Sequence, residues 1–117
     1  MNKLILINSG TVEFNLGNLI FHWNPEKAKE NLKKHHISFQ EAASVFLDEM
    51  LYVDKDDVHS WEEERFTAIG YSKKENILYV CHCYRETVEN KDIVRIISAR
   101  KATTNEINIY NKDIEEE

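Results

Sequence analysis

The stretch IVRIISARKATTNEINIY, from Ile93 to Tyr110, decides how the rest of the chain is arranged. Ile93, Val94, Ile96 and Ile97 are β-branched and fall on both faces of a strand, which predicts a central strand covered on both sides. The strand ends in a basic cluster, Arg95, Arg100 and Lys101, around a Ser98-Ala99 step. Thr103-Thr104-Asn105-Glu106 then reads as a capping box: Thr103 caps, Glu106 reaches back, and a helix begins. A buried strand that delivers two arginines and a helix start to one edge fits an anion site. Solvated strand-end charges fit the same letters, and the pattern leaves both open.

Outward from that stretch, the preceding segments read as strands joined by short polar turns. Ile77 to Arg85 runs into it through a turn over 88–92, and Arg65 to Tyr71 precedes that across Lys73-Lys74-Glu75-Asn76. Leu51 to Val53 is a shorter strand ahead of an acidic loop. Strands joined this way pair antiparallel, so a meander is expected. Helices come before it. Asn24 is a good N-cap, Pro25 suits the first helical position and Glu26 favours the helix start, giving a helix to about His35. Its apolar stripe, Ala28 and Leu32, is thin. Lys27, Asn31, Lys34 and His35 line up beside it as a polar ridge, either a solvated face or one turned toward phosphate. His36 stands where a left-handed residue is wanted, a conformation that costs roughly 1 kcal/mol. Ser38-Phe39-Gln40-Glu41 is a second capping box, and Phe39, Ala42, Ala43 and Phe46 then fall at core spacing. After Thr104, Ile107, Tyr110 and Ile114 supply one packed stripe. Residues 1–20 read as short strands with turns at Asn8-Ser9-Gly10 and Asn15 to Asn18, an edge hairpin or a frayed extension. The expected fold class is α+β: two N-terminal helices, an antiparallel meander sheet and a C-terminal helix, in a single domain over 1–117.

A chain of 117 residues with one proline and three glycines suits one core without long linkers. No apolar run approaches the roughly 20 residues of a membrane span, and a cytoplasmic protein is expected. Cys81 and Cys83, two apart in a strand, share a face and are poorly placed to bridge, so they read as buried thiols. His82 between them, with Leu78, Val80 and Tyr84, reads as a core histidine. The net charge of −6 argues against nonspecific coating of nucleic acid. The acids are bunched: Asp54, Asp56, Asp57, Glu62, Glu63 and Glu64 in one loop, Glu115 to Glu117 at the end. Such patches suit a basic partner, and they leave room for a small phosphate site elsewhere.

The order of these pieces resembles the BrnT toxins of type II toxin–antitoxin systems. The matching stretches are FHWNPEKAKENLKKH (21–35), SFQEAASVF (38–46), EERFTAIG (63–70), VCH (80–82) and VRIISARKAT (94–103), with Glu106 and Tyr110 beyond. Asn24 stands where the family usually has aspartate, and His36 where it usually has glycine. Residues 1–20 fall outside the resemblance, as an added hairpin or a start placed too early. The resemblance implies a RelE-like fold, a ribonuclease that inhibits translation, and a ribbon-helix-helix antitoxin that neutralises it in a 2:2 heterotetramer. It further implies that operator DNA is bound only through the antitoxin.

The residues offer no metal cluster at ligand spacing, and no cofactor is expected. The chemistry expected is attack of a ribose 2′-hydroxyl on the adjacent phosphate, leaving a cyclic phosphate. That needs a base, an acid and positive charge on the phosphorane oxygens. Arginine suits the charge, being always protonated and able to hold phosphate with two bonds. The candidates are Arg65, Arg95 and Arg100. His35 is the candidate acid or base, with Lys34 or Glu64 in support, and Lys27 and Lys101 are candidate RNA-binding residues. Strict alternation puts Arg95 and Arg100 on opposite faces, so they can share a site only past the strand end or across a bulge. The alternative function is a non-catalytic, toxin-like module that acts only by holding its partner in transcriptional autoregulation.

Overall fold

The structure, a computed structural model, describes residues 4–8, 10–60 and 63–115. Ser9, Glu62, Glu116 and Glu117, read above as turn and acidic-patch residues, lie outside the described residues, as do the side chains of Ile114 and Glu115. The elements are β1 (Leu4–Asn8), β2 (Thr11–Leu16), β3 (Leu19–Trp23), α1 (Pro25–His35), α2 (Phe39–Ser44), β4 (Tyr52–Lys55), β5 (Phe66–Tyr71), β6 (Ile77–Val88), β7 (Lys91–Lys101) and α3 (Thr104–Glu115). Short 3-10 turns cover Val45–Leu47 and Asp57–His59.

All seven strands form one sheet in the order β1-β2-β3-β7-β6-β5-β4, so β7 stands at its centre. The expected antiparallel meander is present from β4 to β7. The sheet as a whole is mixed, because β3 pairs β7 in parallel, Phe21 beside Val94 and His22 beside Arg95. Two corrections to the expected fold follow. The sheet is not purely antiparallel, and both early helices lie behind three strands, in the crossover between β3 and the meander. The N-terminal strands are continuous with this sheet: β1 is its edge, and Phe14 and Phe21 enter the core.

One face of the sheet carries that core. Phe21, Val80, Val94, Ile96 and Ala99 are buried against Ile37, Phe39, Ala42 and Ala43 of α2 and the link before it. Gly70 permits this approach: a Cβ there would come within 2.7 Å of a Leu51 methyl and 3.0 Å of Val45 Cβ. α3 lies across the opposite face, where Glu106 reaches Arg100 and the buried Tyr110 donates to Asp48 Oδ2 at 2.6 Å. Its start is the reciprocal box expected, Glu106 N–H to Thr103 Oγ1 at 3.2 Å and Thr103 N–H to Glu106 Oε1 at 2.9 Å. The second box closes only one way. Ser38 Oγ accepts from Glu41 N–H, while the buried Glu41 carboxylate instead accepts from Ser72 Oγ and Asn76 Nδ2 at 2.7 and 2.9 Å.

α1 begins as expected, with Asn24 Oδ1 accepting from Glu26 and Lys27 N–H, and ends on His36 at φ 61°. Its packed face differs from the expectation. Leu32 is half exposed, and the buried residue is Asn31. The reason lies in the sheet: the β3 ladder stops at Arg95, so β7 beyond it has one unpaired edge. Asn31 fills that edge as a neighbouring strand would, Oδ1 accepting from Ala99 N–H at 3.1 Å and Nδ2 donating to Ala99 C=O at 2.8 Å. Nδ2 also donates to Ile37 C=O at 2.9 Å. The polar ridge is therefore the docked side of α1, and Lys27, Lys34 and His35 flank its anchor.

Candidate active site

The geometry turns on one irregularity in β7. Cys81 pairs with Ser98 and His82 with Ile96, so Ile97 is bulged out of register. Arg95 then lies opposite Cys83 and Arg100 opposite Tyr79. Cys83 and Tyr79 are an even number of residues apart on β6 and share a face, so the bulge returns both arginines to one side of the sheet. It is the side away from the helix-packed core.

On that side a cleft of about 350 Å³ is lined by Asp56, His59, Arg65, Tyr79, Cys81, Ile97, Ser98 and Arg100. Arg65 enters from the start of β5. Among the described residues no carboxylate lies within ion-pair distance of its guanidinium. Arg100 is differently placed. Its two terminal nitrogens donate to Glu106 Oε1 and Oε2 at 2.8 and 2.9 Å, and its guanidinium carbon stands 4.2 Å from the centre of the Tyr79 ring. The Glu106 hydrogen bonds push Arg100 above the ordinary arginine value, and the same bonds hold the Glu106 carboxyl below the usual range. Burial raises the Tyr79 phenol, which therefore stays protonated near neutrality.

A second groove, about 160 Å³, lies between α1 and β7 and is lined by Lys27, Glu30, Asn31, Lys34, His35, Ile97 and Ser98. The two share Ile97 and Ser98, so the bulge is the ridge between them. The remaining candidates lie apart. Arg95 meets Glu63 at 3.3 Å and lines a smaller hollow of about 90 Å³ with His22, Arg85 and the start of β2. Glu64 sits 3.7 Å from Lys55 and lines none of these hollows. Lys101 is exposed, its carbonyl accepting from Arg100 Nη1 at 3.3 Å. Arg65 and Arg100 are brought together, Lys27, Lys34 and His35 form a neighbouring group, and Arg95, Glu64 and Lys101 join neither.

His82 is fully buried among Phe46, Phe66 and Tyr84, as expected of a core histidine, with ring centres 5.0 to 6.0 Å away. Among the described residues neither ring nitrogen has a hydrogen-bond partner, and burial pushes its titration down to about 4. The Val80 backbone opposes that shift weakly without reaching hydrogen-bond geometry. Cys83 is buried and its thiol is pushed up by burial, whereas Cys81 is part-exposed in the cleft. His59, Tyr79 and Ser98 also line the cleft, and none of them is among the residues expected from the sequence. The spacing Asp56-x-x-His59 ahead of Arg65 is the signal that marks the first of them, and the surrounding acidic run masks it. Among the described residues no group of His, Cys, Asp and Glu side chains is gathered to hold a metal ion, and no helix is long and apolar enough to cross a membrane.

Comparison with known proteins adds a family. The sequence model described as "Ribonuclease toxin, BrnT, of type II toxin-antitoxin system" matches residues 23–106. No curated protein matches. Among solved structures, the fold is similar to the 1.1 Å crystal structure of the Brucella abortus ribonuclease toxin, BrnT, with a TM-score of 0.50 and 21% sequence identity. That likeness covers 70% of this chain and 94% of the Brucella chain.

Proposed function

Because the chain belongs to the BrnT family of ribonuclease toxins of type II toxin–antitoxin systems, we propose that it cuts RNA without a metal ion in the cleft holding Arg65 and Arg100, and so stops translation. The observation that carries this reading is the Ile97 bulge, which turns Arg100 into the cleft that Arg65 enters from β5. Cleavage by a neighbouring 2′-hydroxyl builds negative charge on the phosphorane oxygens, and fixed cations in a partly enclosed cleft stabilise that charge more than water does.

The two arginines divide the work. Arg65, unpaired among the described residues, is the one free to fork onto a phosphate. Arg100 is already forked onto Glu106, so it fixes the wall and the Tyr79 ring beneath it. Lys27, Lys34 and His35 lie over the ridge, within the next groove, and suit the phosphates that flank the cut. Arg95 with Glu63, and Glu64 with Lys55, brace the acidic loop. Lys101 is a rim charge. The partner proposed is a ribbon-helix-helix antitoxin in a 2:2 assembly that alone touches operator DNA, and the net charge of −6 suits a basic partner of that kind. The site of action is the cytoplasm.

The test is labelled amino-acid incorporation after induction of the chain in bacteria, beside an Arg65→Ala/Arg100→Ala double variant at equal soluble level. A rapid stop with the wild type alone is the result expected. The full engagement of Arg100 by Glu106 favours a second reading, a module that only holds its partner, and undiminished synthesis under the wild type would put that reading first. Equal inhibition by both forms would keep the toxin and remove this site.

A further inference from the structure

The cleft contains a pair that the arginines do not account for. His59 and Asp56 both line it, and His59 Nδ1 lies 2.9 Å from Asp56 Oδ2. The loop carrying them is closed on itself. Asp56 N–H donates to Arg65 C=O at 2.8 Å, which extends the β4–β5 ladder by one step. Ser60 Oγ accepts from Arg65 N–H at 2.9 Å and donates to the Asp56 carbonyl, and Asp56 Oδ1 accepts from His59 N–H at 3.3 Å. His59 and Arg65, both lining the cleft, are thus tied to one another through Asp56 and the Ser60 hydroxyl.

A carboxylate at Nδ1 holds that nitrogen as the N–H donor and leaves Nε2 as the free acceptor. The Asp56 side chain is only 18% exposed while that of His59 is 62% exposed, so the orienting group is sheltered and the imidazole is open to a ligand. Sheltered carboxylate, oriented imidazole and free acceptor nitrogen are the parts a general base requires. His35 lacks them. It lies across the Ile97–Ser98 ridge, and among the described residues no carboxylate lies within ion-pair distance of its ring.

Resting on the nuclease reading above, we infer that His59, oriented by Asp56, is the general base of this cleft. Nε2 of His59 takes the proton of a ribose 2′-hydroxyl, the 2′-oxygen bonds to the adjacent phosphorus, and the P–O5′ bond breaks. Arg65 holds the non-bridging oxygens. The 5′-oxygen takes a proton from solvent, and His59 afterwards returns its proton to solvent. The products are a 2′,3′-cyclic phosphate and a free 5′-hydroxyl, with no water consumed. Asp56 is a positioning residue that acts through His59.

The experiment uses the full chain and an end-labelled RNA of mixed sequence, beside its DNA counterpart. His59→Ala should slow cleavage by about 100-fold or more, the range general bases contribute, at unchanged melting temperature. Added imidazole should restore part of the loss by filling the space left. Asp56→Asn should lower kcat with KM held, and in the His59→Ala background it should cost nothing further, because its effect runs through the imidazole. Wild-type cleavage matched by His59→Ala would overturn the assignment alone. Loss that imidazole does not restore, with a lowered melting temperature, would make His59 a loop brace and overturn it too. A wild type that cuts no RNA would overturn the nuclease reading and this base with it.

Discussion

Replacing Asn31 by aspartate should cost this protein more than almost any change of equal volume. The native amide makes one bond as acceptor and two as donor, to Ala99 N–H, Ala99 C=O and Ile37 C=O, at 2.8 to 3.1 Å in a site only 7% exposed. Asn31→Asp preserves the shape and the Ala99 N–H bond. It also strips both donors and sets a carboxylate oxygen against two carbonyl oxygens. Each buried carbonyl left unsatisfied costs about 1–3 kcal/mol, and the buried charge adds to that, so about 4 kcal/mol at neutral pH is expected. With an unfolding entropy of about 2.1 cal/mol/K per residue and 117 residues, that is a fall in Tm of about 16 °C.

The sign of the pH dependence gives a second check. Facing two carbonyls, the introduced carboxyl has a folded pKa above its unfolded value of about 3.9. The folded state then binds more protons, and relative stability rises as pH falls through that raised value. The protonated acid recovers one donor, so the gap between variant and wild type should narrow in acid. Urea melts followed by tryptophan fluorescence at several pH values measure it, since Trp23 is buried in the same core. A gap under about 1 kcal/mol at neutral pH, or one that widens in acid, would refute the strand-substitute role of Asn31.

Other perturbations separate chemistry from stability. Arg65→Ala should cut RNA cleavage by about 100-fold while leaving the unfolding free energy within about 0.5 kcal/mol, as expected for a part-exposed side chain with no ion-pair partner among the described residues; a larger loss of stability would make it structural. Glu106→Gln should lose about 1 kcal/mol at neutral pH, the scale of a partly exposed bidentate pair. Because the Glu106 carboxyl titrates below its usual range, its contribution is present above the unfolded pKa and lost as pH falls through the folded one. The variant should accordingly converge on wild type in acid, and parallel acid curves would count against the pair. His82→Leu tests the buried imidazole. With a folded value of about 4 against 6.5 unfolded, the unfolded state binds the extra proton between them, so wild-type stability falls as pH drops through that window, by on the order of 3 kcal/mol. The leucine variant should flatten that part of the pH profile, and an unchanged slope would mean His82 is not the group responsible.

Much of the fold was legible because local rules and global packing agree. The β-branched run from Ile93 to Ile97 gave away the central strand, and Asn24-Pro25-Glu26 and Thr103 to Glu106 gave away both helix starts, because cap chemistry is local. His36 was readable as a left-handed stop for the same reason. The parallel pairing of β3 with β7 was not readable, since it joins strands separated by two helices and the whole meander, and nothing in either strand names its partner. Asn31 was missed by the same logic. An asparagine among lysines looks like solvent-facing polarity until the end of the β3 ladder leaves a strand edge for it to fill.

The geometry of the candidate cleft was legible in part, and the missing part has one physical source. Residue types pointed to Arg65 and Arg100, but side-chain alternation pushed Arg100 away from Arg95, and only the extra residue at Ile97 reverses that parity. A bulge leaves no mark on composition. Isoleucine in a strand of isoleucines reads as core, yet this one lines both grooves and forms the ridge between them. The acidic loop hid its paired imidazole in the opposite way. A run of carboxylates reads as solvated charge, and only the closure of Asp56 onto Arg65 distinguishes the carboxylate that holds an imidazole from its neighbours. Removing Ile97 while keeping the flanking residues would leave Arg95 and Arg100 four positions apart, which strict alternation keeps on one face, so Arg100 should stay opposite Tyr79 and bonded to Glu106 while the ridge between the grooves is lost. The seating of α3 should then survive that deletion and weaken in an Arg100→Ala variant, whereas a deletion that unseats α3 as Arg100→Ala does would refute the reading of Ile97 as the unpaired residue that sets the parity of β7.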